Sequence, residues 1–211
     1  TLSVLWKTLR LVAPPRIAFP VWLSGLSMIL ILQSGLVITT DSPCAACWIT
    51  AVYAALRAME QPKWWLLFGL AVAVGFLAKF TIFILPVSVF LFLLISRRDK
   101  LRSIWIYLGA VIAGLAVVPI LVWNSKHGWI NFAHNAQHVV KSGGFKIKPQ
   151  GFFELIGGQL GLVGPLLLIG LLLAAAGGAR AWRKGDKTAG LLFCSAGPLI
   201  ALCAIISFSK S

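Results

Sequence analysis

The feature that most restricts this chain is the recurrence of apolar stretches each long enough to cross a bilayer, with the charges gathered between them. From Lys63 to Ser96 the only charged side chains are Lys63 and Lys79, and from Ser103 to Ser125 there are none. A helix rises 1.5 Å per residue, so roughly 17 to 25 apolar residues span about 30 Å of hydrocarbon. Backbone polar groups in lipid must pair within the segment, which selects helices; the strands of a barrel would alternate polar and apolar residues. With 59% hydrophobic residues and a mean hydropathy of +0.93, the expected fold is an all-α, polytopic integral membrane protein. About seven crossings are expected, at 18–38, 43–58, 64–79, 81–96, 104–123, 152–175 and 188–208, within a single transmembrane domain over 1–211. The sequence begins at Thr1 without Met and ends just after an apolar run, so it reads as a portion of a longer chain.

Orientation follows from counting Lys and Arg on alternate sides. Thirteen fall on one side: Lys7, Arg10, Arg16, Arg57, Lys63, Arg97, Arg98, Lys100, Arg102, Arg180, Arg183, Lys184 and Lys187. Six fall on the other: Lys79, Lys126, Lys141, Lys146, Lys148 and Lys210. The positive-inside rule makes the first side cytoplasmic and accounts for most of the net charge of +14, which in a soluble protein would have suggested nucleic acid. Asp41, Lys79 and a 124–150 loop then face outward. That loop contains WINFAHNAQHVV, whose apolar Trp129, Ala133, Ala136 and Val140 share one helical stripe opposite Asn131, His134, Asn135 and His138, as expected of a helix lying in the membrane surface.

The outer side collects the groups able to carry chemistry. In TTDSPCAACW (39–48), Asp41 precedes Ser-Pro and reads as a turn acid or helix N-cap, a place that would also fix its carboxylate for a ligand. Lys79, in GFLAKFTIFILP, has no acid near it in sequence; it either snorkels to the surface or meets an anion such as a phosphate. In WNSKHGWINFAH, Asn124, Lys126, His127 and Trp129 set amide, ammonium, imidazole and indole groups beside lipid, a suitable set for a polar headgroup or sugar. His134 and His138 have i, i+4 spacing, yet no carboxylate or cysteine completes a local ligand set, and no metal or other cofactor is expected. Cys44 and Cys47 match a redox spacing but lie inside a span, without a thioredoxin-like setting. No phosphate-cradling Gly-rich loop, hydrolase serine elbow or HExxH occurs, so soluble nucleotide chemistry has no foothold.

The order of these segments resembles a known family: TTDSP, a span ending YAALRAME, GLAVAVGFLAKFT, a basic SRR block, a span ending VPILVWN, then HGWINF. It is similar to the polyprenyl-phosphate-sugar-dependent membrane glycosyltransferases of GT-C architecture, the family 39 group that includes protein O-mannosyltransferases and the aminoarabinose transferases acting on lipid A. The resemblance covers about 39–164. It implies a multi-pass protein of the bacterial inner membrane that moves a sugar from a polyprenyl phosphate to an extracytoplasmic lipid, glycan or protein, with no nucleic-acid partner. Asp41 resembles the second acid of the family, in a D-x-P pattern; Lys79 resembles the lysine of L-(S/A)-K-(Y/F)-T. Asn124, His127, Gly128 and Trp129 resemble W-N-x-x-H-G-W, with Lys126 where many members carry glutamine. The family's proposed catalytic base lies in an earlier outer loop that this sequence does not include. The competing reading is a transporter or flippase for a lipid-linked or anionic solute, which would show internal repeats and ionisable residues within spans; no convincing repeat is present here.

Overall fold

The computed structural model describes residues 2–26, 40–130, 153–154, 156–158, 160–161 and 165–209. Among them the regular structure is entirely helical: α1 (Leu2–Val12), α2 (Pro15–Leu26), α3 (Asp41–Ala58), α4 (Trp64–Ala78), α5 (Ile84–Ser96), α6 (Ile104–Leu115), α7 (Val117–Lys126), α8 (Pro165–Arg183) and α9 (Lys187–Ser209), with 3-10 turns at Phe80–Phe83 and Arg98–Arg102. Five of the expected spans coincide with α3, α4, Phe80–Ser96, Ile104–Lys126 and α9 to within three residues. Ile104–Lys126 and Lys187–Ile205 are long and apolar enough to cross a membrane, and Trp64–Ala78 and Phe80–Ser96 are shorter apolar helices. The second half of the 18–38 span lies outside the described residues, as do His134, His138 and most of the 124–150 loop.

Within the span expected at 152–175 the described residues at 153–154, 156–158 and 160–161 are helical, and the helix Pro165–Arg183 runs eight residues past its expected end. Proline suits the first turn of a helix, where its missing N–H leaves nothing unpaired, and Arg180 and Arg183 suit the last turn, where they face the carbonyl end of the helix dipole. The basic block that punctuates the sequence is therefore partly the end of the helix itself. After it, Gly185 (φ 98°) reverses the chain, with the Gly185 N–H bonded to the Trp182 carbonyl and the Asp186 N–H to that of Ala181. Asp186 Oδ1 then accepts the Thr188 and Ala189 N–H groups at 2.9 and 3.0 Å, capping α9.

Small residues set the helix spacing. The buried face of α3 is Cys44, Ala51, Val52, Ala54, Ala55 and Ala58, which lets α4 lie close with Trp65, Phe68, Ala71 and Val72 turned inward. On its other side α4 crosses α6 backbone to backbone: a Cβ on Gly69 would fall 2.1 Å from the Gly109 carbonyl oxygen, and one on Gly109 2.3 Å from that of Trp65. α9 packs against α5 and α8. Trp182 of α8 wedges between Phe92 and Phe193 and donates its indole N–H to Ser96 Oγ at 3.1 Å. Pro119 explains the break between α6 and α7, since its ring opposes the Leu115 carbonyl and it has no N–H to offer. Outward, Leu70, Val74, Leu77, Phe90, Ile95, Val111 and Leu115 are exposed, an apolar coat that lipid, not water, accommodates.

Candidate functional site

The α3–α4 seam is tight at Cys47 and Gly75, where a Cβ on the glycine would lie 2.9 Å from Cys47 Cβ. It carries the start of α3 to the end of α4. Asp41 is the first residue of α3, and Lys79 is the extended residue (φ −157°, ψ 128°) at which α4 ends. The Lys79 N–H still bonds the Gly75 carbonyl at 2.8 Å, while its own carbonyl accepts from Ile82 at 3.3 Å and opens the 3-10 turn. Pro86 lies in the first turn of α5 and lacks an N–H, so one unbroken helix through this point would leave the Ile82 carbonyl unpaired and crowded.

Lys79 Nζ forms an ion pair with Asp41 Oδ1. Of the two fates open to Lys79, it meets an anion, and that anion comes from 38 positions earlier in the chain. The N-cap reading of Asp41 is corrected: the cap position is Thr40, already helical at φ −63°, ψ −16°, and no side chain caps there. Asp41 is thus one residue too late to cap. Both partners stay accessible, at 43% and 55% side-chain exposure, and an exposed pair is worth only about 0–1 kcal/mol. Such a contact is weak enough to exchange partners.

Beside the Lys79 break lie two cavities that share Phe80 and Ile120. One, of about 280 Å3, is bounded by Leu77, Phe80, Pro119, Ile120, Trp123 and Asn124. The other, of about 290 Å3, is bounded by Phe76, Phe80, Phe83, Val117, Ile120 and Leu121. Asn124 is fully buried, donates from Nδ2 to the Ile120 carbonyl at 2.9 Å, and keeps Oδ1 without a partner among the described residues. His127 turns back on its own helix: its ring stacks on Trp123 at 4.1 Å and Nδ1 lies 2.7 Å from the Trp123 carbonyl. Lys126 is exposed at the end of α7. Gly128 and Trp129 both take left-handed backbone, φ 64° and 58°, an unusual conformation for a bulky residue; the Trp129 N–H closes the turn on the Asn124 carbonyl at 2.9 Å. The structure thus joins Asp41 to Lys79, sets Asn124 in a cavity with Lys79's neighbours Leu77 and Phe80, and leaves Lys126, His127 and Trp129 around the turn that follows. The apolar walls formed by Phe76, Phe80, Phe83 and Ile120 were not foreseen, since nothing in the sequence separates a groove wall from a lipid-facing side chain.

Cys44 and Cys47 are free thiols within α3, used in packing. Among the described residues no three His, Cys, Asp or Glu side chains converge as a metal set would.

A family model described as dolichyl-phosphate-mannose-protein mannosyltransferase matches residues 1–123, more than half of the chain. The chain belongs to this mannosyltransferase family. Membership implies a membrane protein with glycosyltransferase activity of the mannosyltransferase type, and a lipid-linked sugar donor. The matched region contains Asp41 and Lys79 and stops just before Asn124. No curated protein and no solved structure matches the chain significantly.

Proposed function

We propose that this mannosyltransferase-family chain contributes the donor end of an enzyme that takes a sugar from a polyprenyl phosphate and transfers it to an acceptor on the extracytoplasmic side of a bacterial plasma membrane. The observation that carries this reading is the exposed Asp41–Lys79 pair beside an apolar groove. A polyprenyl-phosphate sugar needs those two surroundings together: hydrocarbon walls for the tail and a cation at the interface for the phosphate. Lys79 serves as a compact positive charge, and the weakness of its bond to Asp41 lets the donor phosphate displace the carboxylate.

In the reaction, the acceptor nucleophile attacks the anomeric carbon, the bond from that carbon to the phosphate oxygen breaks, and the polyprenyl phosphate departs with increased negative charge. Lys79 stabilises that charge, a larger demand in the transition state than in the bound donor. Asp41, released from Lys79, orients the acceptor or assists a base from the earlier part of the protein that takes the nucleophile's proton. Lys126, His127 and Trp129 line the approach of the sugar and headgroup, and the buried Asn124 fixes the turn that presents them, its carbonyl accepting the His127 and Trp129 N–H groups. The test is transfer from a labelled polyprenyl-phosphate sugar by full-length protein in membranes, comparing the parent with Asp41→Asn and Lys79→Ala. Both variants are expected to lose transfer, and parent-like rates in both would overturn the assignment.

A further inference from the structure

The opposite end of α3 holds a second pocket, remote from the Asp41–Lys79 pair. Arg57 follows Asp41 by 16 positions on the same helix, about 24 Å along its axis. A cavity of about 130 Å3 there is lined by Arg57, Arg97 and Lys187, by the acid Glu60, and by apolar residues that include Leu11 and Leu56. It lies where α1, the end of α3, the end of α5 and the start of α9 converge.

Its cations are incompletely satisfied. The Arg57 guanidinium lies over the Trp64 ring at 5.4 Å, and its Nε is enclosed with no hydrogen-bond partner among the described residues. Arg97 is partly engaged, donating from Nε and Nη2 to Asp99 at 3.1 and 3.2 Å. At the start of α9, Asp186 already takes the Thr188 and Ala189 amides. The pocket is therefore made by side chains, not by a helix terminus.

We propose that this pocket binds the phosphate of an anionic glycerophospholipid from the leaflet facing the basic end of the bundle. The three cations exceed Glu60 and the Asp99 that engages Arg97 by one charge, which favours a negative headgroup. The apolar lining from α1 and α3 and the exposed apolar flanks of α5 suit acyl chains, and basic pockets between transmembrane helices commonly hold such headgroups. A bound lipid would pin α1 to α3, α5 and α9 at that end.

The test uses full-length protein in mixed micelles containing phosphatidylglycerol or phosphatidylcholine, with retained lipid counted by native mass spectrometry. Phosphatidylglycerol should be retained over phosphatidylcholine, and millimolar inorganic phosphate should not remove it. Arg57→Gln and Lys187→Gln should each lower retention about fivefold, whereas Arg102→Gln, at an exposed basic residue outside the lining, should leave it unchanged. Lys187 is exposed, so its variant carries the test if Arg57→Gln does not fold. Parent-like retention in Lys187→Gln, an equal loss in Arg102→Gln, or full displacement by inorganic phosphate would overturn the proposal.

Discussion

The two ends of α3 hold their charges in opposite ways. At the Arg57 end, cations are braced by aromatic rings, with Arg57 over Trp64 and Lys63 over Trp105, and the Trp182 wedge ties α8, α5 and α9 together nearby. At the Asp41 end one ammonium meets one carboxylate, both largely exposed, beside cavities with apolar walls. A guanidinium stacked on indole under a packed aromatic cluster is held in place. A solvated ion pair exchanges partners readily. The contrast separates an end whose cations are braced by rings from one whose charges are open to exchange, although the basic end carries far more charge.

The largest expected effect comes from the pair itself. If Lys79 and Asp41 act as one unit, Lys79→Ala and Asp41→Asn each lower the rate of transfer by about 100- to 1,000-fold, and the double variant is scarcely worse than the poorer single one. Losses that multiply would show two independent residues and break the comparison. Stability should respond at the seam joining the ends. Gly69→Ala forces a methyl group toward the Gly109 carbonyl and should cost about 1–3 kcal/mol in unfolding measured in detergent. Gly114→Ala on α6 meets no atom within 4 Å and should leave the melting temperature unchanged or slightly raised.

Smaller effects sharpen the account of the basic end. Asp186→Ala removes two cap hydrogen bonds and should destabilise by about 0.5–2 kcal/mol, with sugar transfer unchanged at temperatures where the variant is folded. The smallest effect concerns Asp99, whose carboxyl is held below its ordinary range chiefly by the hydrogen bonds from Arg97. A lowered acid contributes stability above its unfolded pKa, and that contribution fades as pH falls through the folded value. The parent should therefore melt slightly above Asp99→Asn near neutral pH, and the margin should close in acid; a margin that widened in acid would contradict this assignment.

Most of the helices were legible because hydrocarbon thickness and charge blocks bound them tightly, as α3, α4 and α9 illustrate. Lys187 and the last basic turn of α8 mark the limits of that logic: a helix can carry its arginines past the membrane, so the apolar window ended earlier than Arg183. The Asp-Ser-Pro pattern suggested a cap, but the backbone is already helical at Thr40, a local matter that residue types do not fix. Sidedness predicted that Asp41 and Lys79 share a face. Their contact additionally required the Cys47–Gly75 approach, visible only once α3 and α4 are packed. The cavity walls were illegible because Phe80 and Ile120 differ from lipid-facing residues only in what stands opposite them.

The most direct measurement is cross-linking of Asp41→Cys with Lys79→Cys in full-length protein in intact membranes, with Cys44, Cys47, Cys194 and Cys203 replaced by alanine. A membrane-impermeant thiol cross-linker added from outside should join the pair rapidly, read as a linked peptide by mass spectrometry. Absence of the link, or a link formed only when the reagent reaches the cytoplasmic side, would contradict an external site built on these two residues.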